Sequence, residues 1–207
     1  MVAMMASGAM ADDPAFLAAA RADDAAAISR MIGEGQDLEV RDALGATALL
    51  VAAHANARGA AKVLVEAGAD VNAKDDIADT PYLYAGAEGR TEILRLMLAA
   101  GADLTDTNRY GGTALIPAAE KGHPENVRLL LEAGVDPDHV NNLGWTALHE
   151  AIVLSDGGPV HQEIVRLLID GGANVNLADG NGVSPVTLAR QRGFVEIVGM
   201  LEAAEAK

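Results

Sequence analysis

A tripeptide that begins with a hydroxyl residue returns along this chain at a nearly constant interval. It is Thr-Ala-Leu at residues 47–49, 113–115 and 146–148, Thr-Pro-Tyr at 80–82 and Ser-Pro-Val at 184–186. The steps between the leading residues are 33, 33, 33 and 38. A period of about 33 residues is typical of solenoid proteins, whose units pack on their neighbours to form one continuous core. The interval therefore predicts a single repeat domain over residues 12–207.

Each unit contains the same order of local signals. A polar turn with a glycine comes first, followed by a Thr that can cap an inner helix. Apolar residues at helical spacing then predict an outer helix, which a glycine closes. Asp13-Pro14 suits a helix start, and the unit that follows lacks the Thr-led tripeptide, as expected of a terminal repeat. The predicted units are approximately 12–40 (N-terminal cap), 41–73, 74–106, 107–139, 140–177 and 178–207 (C-terminal cap).

The repeated motifs resemble those of a known family. Asp-x-x-Gly-x-Thr-x-Leu, then Ala-Ala, then Glu-Ile-Val-x-x-Leu-Leu, then Gly-Ala-Asp-Val-Asn is the pattern of the ankyrin repeat, and the resemblance covers about residues 13–204. It implies an all-α solenoid of about six helix-turn-helix units with short β-turn fingers. Arg109-Tyr110-Gly111-Gly112 and Gly144-Trp145 further resemble the small free-standing bacterial ankyrin proteins of the YahD-like group. That likeness implies a stand-alone ankyrin protein.

Four departures from the family pattern are predicted to alter local structure. The His that usually follows Thr-x-Leu occurs only as His149, which is expected to loosen hydrogen bonding in the other units. Ala78 replaces a turn glycine. Pro117 lies one turn inside its inner helix and lacks a backbone donor. Five extra residues fall within roughly 154–162, between an inner and an outer helix.

Composition excludes several classes of function. The net charge of −15 disfavours nucleic acid and an anionic membrane surface as partners, and the absence of Cys removes disulfides and thiol nucleophiles. Residues 1–11 are interpreted as a disordered leader or a signal remnant, because Ala9-Met10-Ala11 looks like a cleavage site but no basic segment or long apolar segment precedes it. A cytoplasmic location is therefore expected, with the periplasm as the alternative.

No constellation predicts catalysis. His149-Glu150 does not continue as a zinc-binding His-Glu-x-x-His pattern, since Val153 stands in the last position. His149 is better interpreted as the structural His of its repeat. His161 has Asp156 and Glu163 near it in the sequence, but polar residues around a loop are usually only solvated. We therefore expect a protein without enzymatic activity, metal or cofactor.

Binding to another protein is the function that the resemblance implies. Partners of ankyrin stacks usually dock on the finger tips and on the concave floor formed by the inner helices. Trp, Tyr and Arg are enriched in binding hot spots, so Arg109, Tyr110 and Trp145 are the predicted anchors. The alternative for Trp145 is that it packs over a neighbouring finger and only stiffens the row. The full set of positions that match the variable surface is Ile77, Asp79, Arg109, Tyr110, Gly112, Glu120, Lys121, Asn142, Leu143, Trp145, Asn181 and Val183.

The predicted fingers are also strongly acidic. Windows 37–46, 70–79, 103–112, 136–145 and 174–183 hold twelve acidic and three basic residues. Such a row should attract a partner with a basic or mixed apolar and basic surface, although Asp is also a favoured turn residue. Two other functions stay open. One is binding of a small ligand or anion near Arg109, or at the glycine pairs 111–112 and 157–158. The other is a periplasmic accessory role for an envelope or stress enzyme.

Overall fold

The computed structural model describes residues 13–205, which contain twelve helices and no β-strand. The interpretation of residues 1–11 lies outside this range. The helices are α1 (Pro14–Arg21), α2 (Ala25–Gly33), α3 (Ala48–Ala55), α4 (Arg58–Glu66), α5 (Pro81–Ala87), α6 (Thr91–Ala99), α7 (Leu115–Glu120), α8 (Pro124–Ala133), α9 (Ala147–Val153), α10 (Pro159–Asp170), α11 (Pro185–Arg192) and α12 (Val195–Glu205).

The helices alternate between two stacked rows. The odd-numbered helices form the inner row, in which α1, α3, α5, α7, α9 and α11 each contact the next. The even-numbered helices form the outer row in the same way. Each predicted unit contains one inner and one outer helix. The prediction of an all-α repeat solenoid is confirmed.

One hydrophobic cluster runs through the whole stack, from Phe16 in α1 to Leu201 in α12. The inner helices are rich in alanine at their fully buried positions, and these small side chains let neighbouring helices approach closely. The backbone at Gly86 is so near α7 that an added Cβ would lie 2.7 Å from the Cβ of Ala114. Leu49, Leu115 and Leu148 are buried, as the Thr-x-Leu pattern predicts.

Each finger ends in a tip of five residues, and the tips are 42–46, 75–79, 108–112, 141–145 and 179–183. The tips precede inner helices α3, α5, α7, α9 and α11 and have one common hydrogen-bonding pattern. The first residue of each tip is Asp or Asn, and its side-chain oxygen accepts the backbone N–H groups two and four residues later. Such local bonds explain why Asp and Asn are favoured in turns. The five residues are Asp42, Asp75, Asn108, Asn141 and Asp179.

The fourth residue of every finger tip has a positive φ. Four of these residues are glycines, with φ between +73° and +78°, and the fifth is Ala78, at +65°. A left-handed backbone conformation costs an L-residue about 1–2 kcal/mol. The predicted departure at Ala78 is therefore a position of local strain.

The hydroxyl caps form in four of these five inner helices. The side-chain oxygens of Thr47, Thr80, Thr146 and Ser184 each accept the backbone N–H three residues later. His149 adds a reciprocal bond, since its Nδ1 accepts the backbone N–H of Thr146. The caps thus persist without the His, and only this reciprocal bond is special to the unit of α9.

Pro117 explains why the cap of α7 differs. In the other inner helices the fourth residue after the hydroxyl residue donates its backbone N–H to the carbonyl of that residue, but proline has no N–H. Ile116 N donates to Thr113 O instead, at 3.2 Å. This takes the Ile116 N–H away from the Thr113 hydroxyl, which is buried and has no hydrogen-bond partner within residues 13–205. The prediction that Pro117 removes a helix donor is confirmed.

Replacing Pro117 with Ala is therefore expected to raise the free energy of unfolding by about 1 kcal/mol. The change restores a backbone bond and the Thr113 cap, each worth about 1 kcal/mol, and the more flexible unfolded chain offsets part of this gain. Pro81→Ala is the matched control, because Pro81 stands at the first position of α5, where no donor is missing. Denaturant titration of both variants tests this. Equal effects at the two positions would contradict the cap argument.

The extra residues of the fifth unit form a longer connection, 154–158, and lengthen the outer helix α10 to 12 residues. Gly157 makes close contact with Phe194, since an added Cβ would lie 2.4 Å from its ring. The Arg192 guanidinium donates to the carbonyls of Val153 and Ser155. Through these contacts the connection 154–158 packs against the C-terminal unit.

Candidate binding surface

A cavity of about 550 Å³ lies between the finger row and the inner helices. Its walls come from three successive fingers and from the inner helices α5, α7 and α9. The lining residues are Ile77, Asp79, Leu83, Tyr84, Ala87, Glu88, Asn108, Arg109, Tyr110, Gly112, Ile116, Pro117, Glu120, Lys121, Asn141, Leu143, Glu150 and Leu154. We call this region the concave cavity.

The concave cavity brings together most of the residues predicted to bind a partner. Ile77, Asp79, Arg109, Tyr110, Gly112, Glu120, Lys121 and Leu143 all line it. Asn142, Trp145, Asn181 and Val183 do not. Trp145 is half-buried. Its backbone N–H donates to the side chain of Asn141, and its carbonyl accepts the backbone N–H of Asn141.

An apolar row runs along the finger tips. In four successive finger tips the third residue is large and apolar, and more than half of its surface is exposed. These residues are Leu44, Ile77, Tyr110 and Leu143. We call these four residues the finger ridge. The last three line the concave cavity. The 33-residue period places the four at equivalent positions, so aligning the units would have revealed the ridge, and with it Leu44.

The two basic side chains of the concave cavity already have acidic neighbours. Arg109 lies 3.9 Å from the Asp79 carboxylate, and its guanidinium carbon stands 4.7 Å from the centre of the Tyr110 ring. Lys121 forms a salt bridge with Glu88. Burial and the charge of Asp75 raise the pKa of Asp79, and Arg109 acts in the opposite direction. Both cations are thus engaged within the protein.

Glu150 is one of the cavity residues that the sequence analysis did not predict. It lies on α9 and is only 6 % exposed, and its Oε1 accepts the side-chain N–H of Asn141 at 2.8 Å. Burial, followed by repulsion from Glu120, raises the pKa of Glu150 to about 7, against the lowering effect of the Asn141 bond. In the sequence, His149-Glu150 resembles only the start of a zinc-binding pattern that Val153 does not complete. No residue of this motif indicates that Glu150 is buried.

Three of the five histidine side chains have hydrogen-bonding partners within the described chain. His149 is buried in its helix cap, and burial lowers its pKa. His139 and His161 bond the backbone carbonyls of Gly111 and Glu120 through their Nε2 atoms. Within residues 13–205, no group of three or more His, Cys, Asp or Glu side chains is placed to hold a metal ion.

Most of the finger acids also serve the turns. Of the twelve, only Asp76 and Asp79 accept no backbone N–H within the described part of the chain. The acidic bias is therefore largely a consequence of turn chemistry, although the negative field remains. The glycine pairs offer little to an anion, because the N–H groups of residues 111, 112, 157 and 158 already donate within the protein.

The family model for ankyrin repeats, which describes three copies of the repeat, matches residues 15–108, 55–141, 83–179 and 118–206. The chain belongs to the ankyrin repeat family. The overlapping matches span nearly the whole chain, so the resemblance expected from the repeated motifs is confirmed. None of the ankyrin helices described between residues 13 and 205 is both long and apolar enough to cross a membrane.

Solved ankyrin structures align with more than nine-tenths of this chain. An ankyrin repeat domain from Acinetobacter baumannii AYE is 56% identical, with a TM-score of 0.89 over 92% of this chain and 97% of that one. The ankyrin repeat protein EF0377 is 45% identical, with a TM-score of 0.87 over 91% and 96%. The ankyrin repeat domain of Bcl-3, a member of the IkappaB protein family, is 29% identical, with a TM-score of 0.84 over 93% and 86%.

A curated relative supports the likeness to the YahD group. The putative ankyrin repeat protein YahD of Escherichia coli strain K12 is 54% identical over 59 residues. The match spans 28% of this chain and 29% of YahD, so it covers less than a third of either protein. Ankyrin repeats generally serve as protein–protein interaction modules without enzymatic activity.

Proposed function

We propose that this protein is a non-enzymatic scaffold that binds another protein on its concave cavity and finger ridge. The observation that carries the proposal is the finger ridge itself, four exposed apolar side chains in one row beside a cavity with charged walls. Exposed apolar patches with a polar surround are characteristic of interaction sites. The general role of ankyrin repeats as interaction modules supports it.

The ridge supplies the apolar part of the predicted contact. Fully burying a large apolar side chain contributes about 1.5–3 kcal/mol, so covering these half-exposed residues is worth about 1 kcal/mol each. Arg109 and Tyr110 add a stacked pair of the residue types enriched in hot spots. Tyr110 is thus the central anchor.

Charge favours a basic or mixed apolar and basic partner. The chain carries a net charge of −15, and its finger row is acidic. Encounter with a positive surface is accelerated by such a field and slows as salt screens it. We therefore expect the association rate to fall as the salt concentration rises.

Photo-crosslinking in the native host tests which face binds. A photoreactive amino acid at Tyr110 or Leu143 is expected to form adducts with a discrete partner. The control position is Val195 at the start of α12, which is also an exposed apolar residue but lies outside the finger ridge. Adducts of equal yield from Val195, or none from the two ridge positions, would contradict the proposal.

The affinity of ridge variants for the crosslinked partner then shows how much the finger ridge contributes to the free energy of binding. Tyr110→Ser and Leu143→Ser are each expected to weaken its binding about fivefold, because the lost contact is worth about 1 kcal/mol and 1.4 kcal/mol corresponds to a factor of ten. Val195→Ser should leave the affinity unchanged. Melting temperatures of all three variants show whether folding is affected.

A further inference from the structure

We propose that Glu150, together with Glu120, recognises a single basic side chain, lysine or arginine, that a partner segment inserts into the concave cavity. This inference rests on the proposed function and specifies the chemistry of its central contact. It assigns a binding role to a buried carboxylate whose position is otherwise explained only by one hydrogen bond to a finger.

The position of Glu150 is the first argument. Glu150 stands four residues after Thr146, and the equivalent residues of the two preceding inner helices are Tyr84 and Pro117. All three line the cavity floor. Glu150 is the acidic member of this row, and it is more than nine-tenths buried although a cavity opens beside it.

The second argument is that one oxygen of the carboxylate is accessible from the cavity side and has no donor from the described part of the protein. Asn141 donates to Oε1, and no group within residues 13–205 donates a hydrogen bond to Oε2. No basic side chain of the described chain forms a salt bridge with Glu150 or with Glu120. A buried charge is costly unless a partner of opposite charge is supplied.

The charges around Glu150 leave an acidic excess. The lining contains four acids and two bases, and both bases are committed to Asp79 and Glu88. The two carboxylates that remain are Glu120 and Glu150, and their repulsion adds to burial in raising the pKa of Glu150. A cation placed between them would remove that repulsion.

The elements packed against α9 offer Glu150 no other counter-ion. From α7 the nearby charge is Glu120, followed by Lys121 with its own partner. On α10, His161 bonds the Glu120 carbonyl and Arg166 is exposed. On α11, Arg190 pairs with Glu202, and Arg192 is held by the carbonyls of Val153 and Ser155.

The cavity walls also fit the stem of a basic side chain. Leu143, Leu154 and Ile116 line the cavity together with Glu150. Lysine and arginine carry aliphatic stems that pack on such surfaces while the charged head finds a polar partner. With two carboxylates available, the cavity suits one ammonium or guanidinium group.

Titration of the full-length protein with small probes tests the inference. The probes are N-acetyl-lysine methylamide, N-acetyl-arginine methylamide and the uncharged N-acetyl-norleucine methylamide, followed by NMR at pH 8 and low salt. We expect saturable shifts of Glu150, Asn141 and Leu143 resonances with one or both basic probes, and none with norleucine. The preference between the two basic probes distinguishes an ammonium from a guanidinium site.

Variants show whether the carboxylate is responsible. Glu150→Gln keeps the size and the acceptor for Asn141, and it is expected to weaken the basic probe at least tenfold. Glu196→Gln, an exposed acid on α12, is the matched control and should have no effect. If Glu150→Gln does not fold, Glu120→Gln serves as the second variant, with an expected loss of about threefold. Equal binding of the norleucine probe, unchanged affinity in the cavity variants, or the absence of any saturable shift would overturn the inference.

The two proposals can fail separately. A crosslinked partner on the finger ridge whose affinity is the same for wild type and Glu150→Gln would refute the basic-residue site and leave the scaffold function standing. Crosslinking with equal yield from Val195 would refute the scaffold function, whatever the probes show.

Discussion

Gly144→Ala is expected to lower the free energy of unfolding by about 3 kcal/mol. Gly144 has a φ of +78°, and a Cβ at this position would lie 2.8 Å from Cα and 2.9 Å from N of Gly180 in the next finger. The left-handed conformation costs about 1–2 kcal/mol for alanine, and the clash adds about 1–3 kcal/mol. The clashing atoms are backbone, so no side-chain rotation relieves them.

The clash also affects the contact between two units. Gly180 N donates to Gly144 O at 3.2 Å, and moving the fingers apart would break this bond. Because each unit of a solenoid is stabilised by its neighbours, we expect the C-terminal unit to loosen first. Hydrogen exchange should therefore become faster in α11 and α12 than in α1 to α4.

Ala78→Gly is the opposite change at the equivalent position. It removes the strain of an alanine at φ +65° and is expected to stabilise the protein by about 0.5–1 kcal/mol, after the added freedom of the unfolded chain is deducted. Denaturant titrations of both variants provide the measurement. Similar destabilisation by the two changes would show that the finger conformation is not the cause.

Glu150→Gln is expected to stabilise the protein by about 3 kcal/mol at pH 8. Glu150 has a pKa raised from 4.5 to about 7 in the folded protein, and each unit of difference corresponds to about 1.4 kcal/mol. Between pH 4.5 and about 7, Glu150 therefore keeps its proton in the folded protein but has lost it in the unfolded chain. The stabilising effect of protonation is thus complete below pH 4.5 and lost as the pH rises to about 7.

The difference between wild type and Glu150→Gln isolates this group from the other acids. We expect the difference in free energy of unfolding to grow steadily between pH 4.5 and 7 and then to level off. Chemical denaturation at half-unit pH steps gives the curve. Glu196→Gln, an exposed control, should show no such slope, and a flat difference for Glu150→Gln would contradict the burial of an ionisable carboxylate.

Residues that act within their own unit could be predicted from the chain alone. The cap by Asp13, the left-handed glycines after the outer helices and the missing donor at Pro117 all appear in the structure as expected. These features depend on contacts a few residues apart, which a local pattern describes directly. The loosening expected from the missing His was limited, because the hydroxyl group caps the helix without it.

The residues that line the concave cavity were predicted less completely, for a physical reason. Trp145 stays a predicted contact on the ground of its residue type, and the structure shows that it is half-buried and does not line the concave cavity. Glu150 received no role, because its burial results from the packing of α9 against three other helices and its pKa depends on Glu120, a full unit earlier. Neither environment can be deduced from residue type.

The sequence by itself determined the architecture of this protein. A 33-residue period, a capping hydroxyl and a turn glycine in each unit are sufficient for a stack of helix pairs, since each signal acts over a few residues and the repetition multiplies it. The tertiary structure decided which side chains share the concave cavity and which carboxylate is left without a cation. Those properties arise between units, where residues some 33 positions apart meet and where burial sets the energy of a charge.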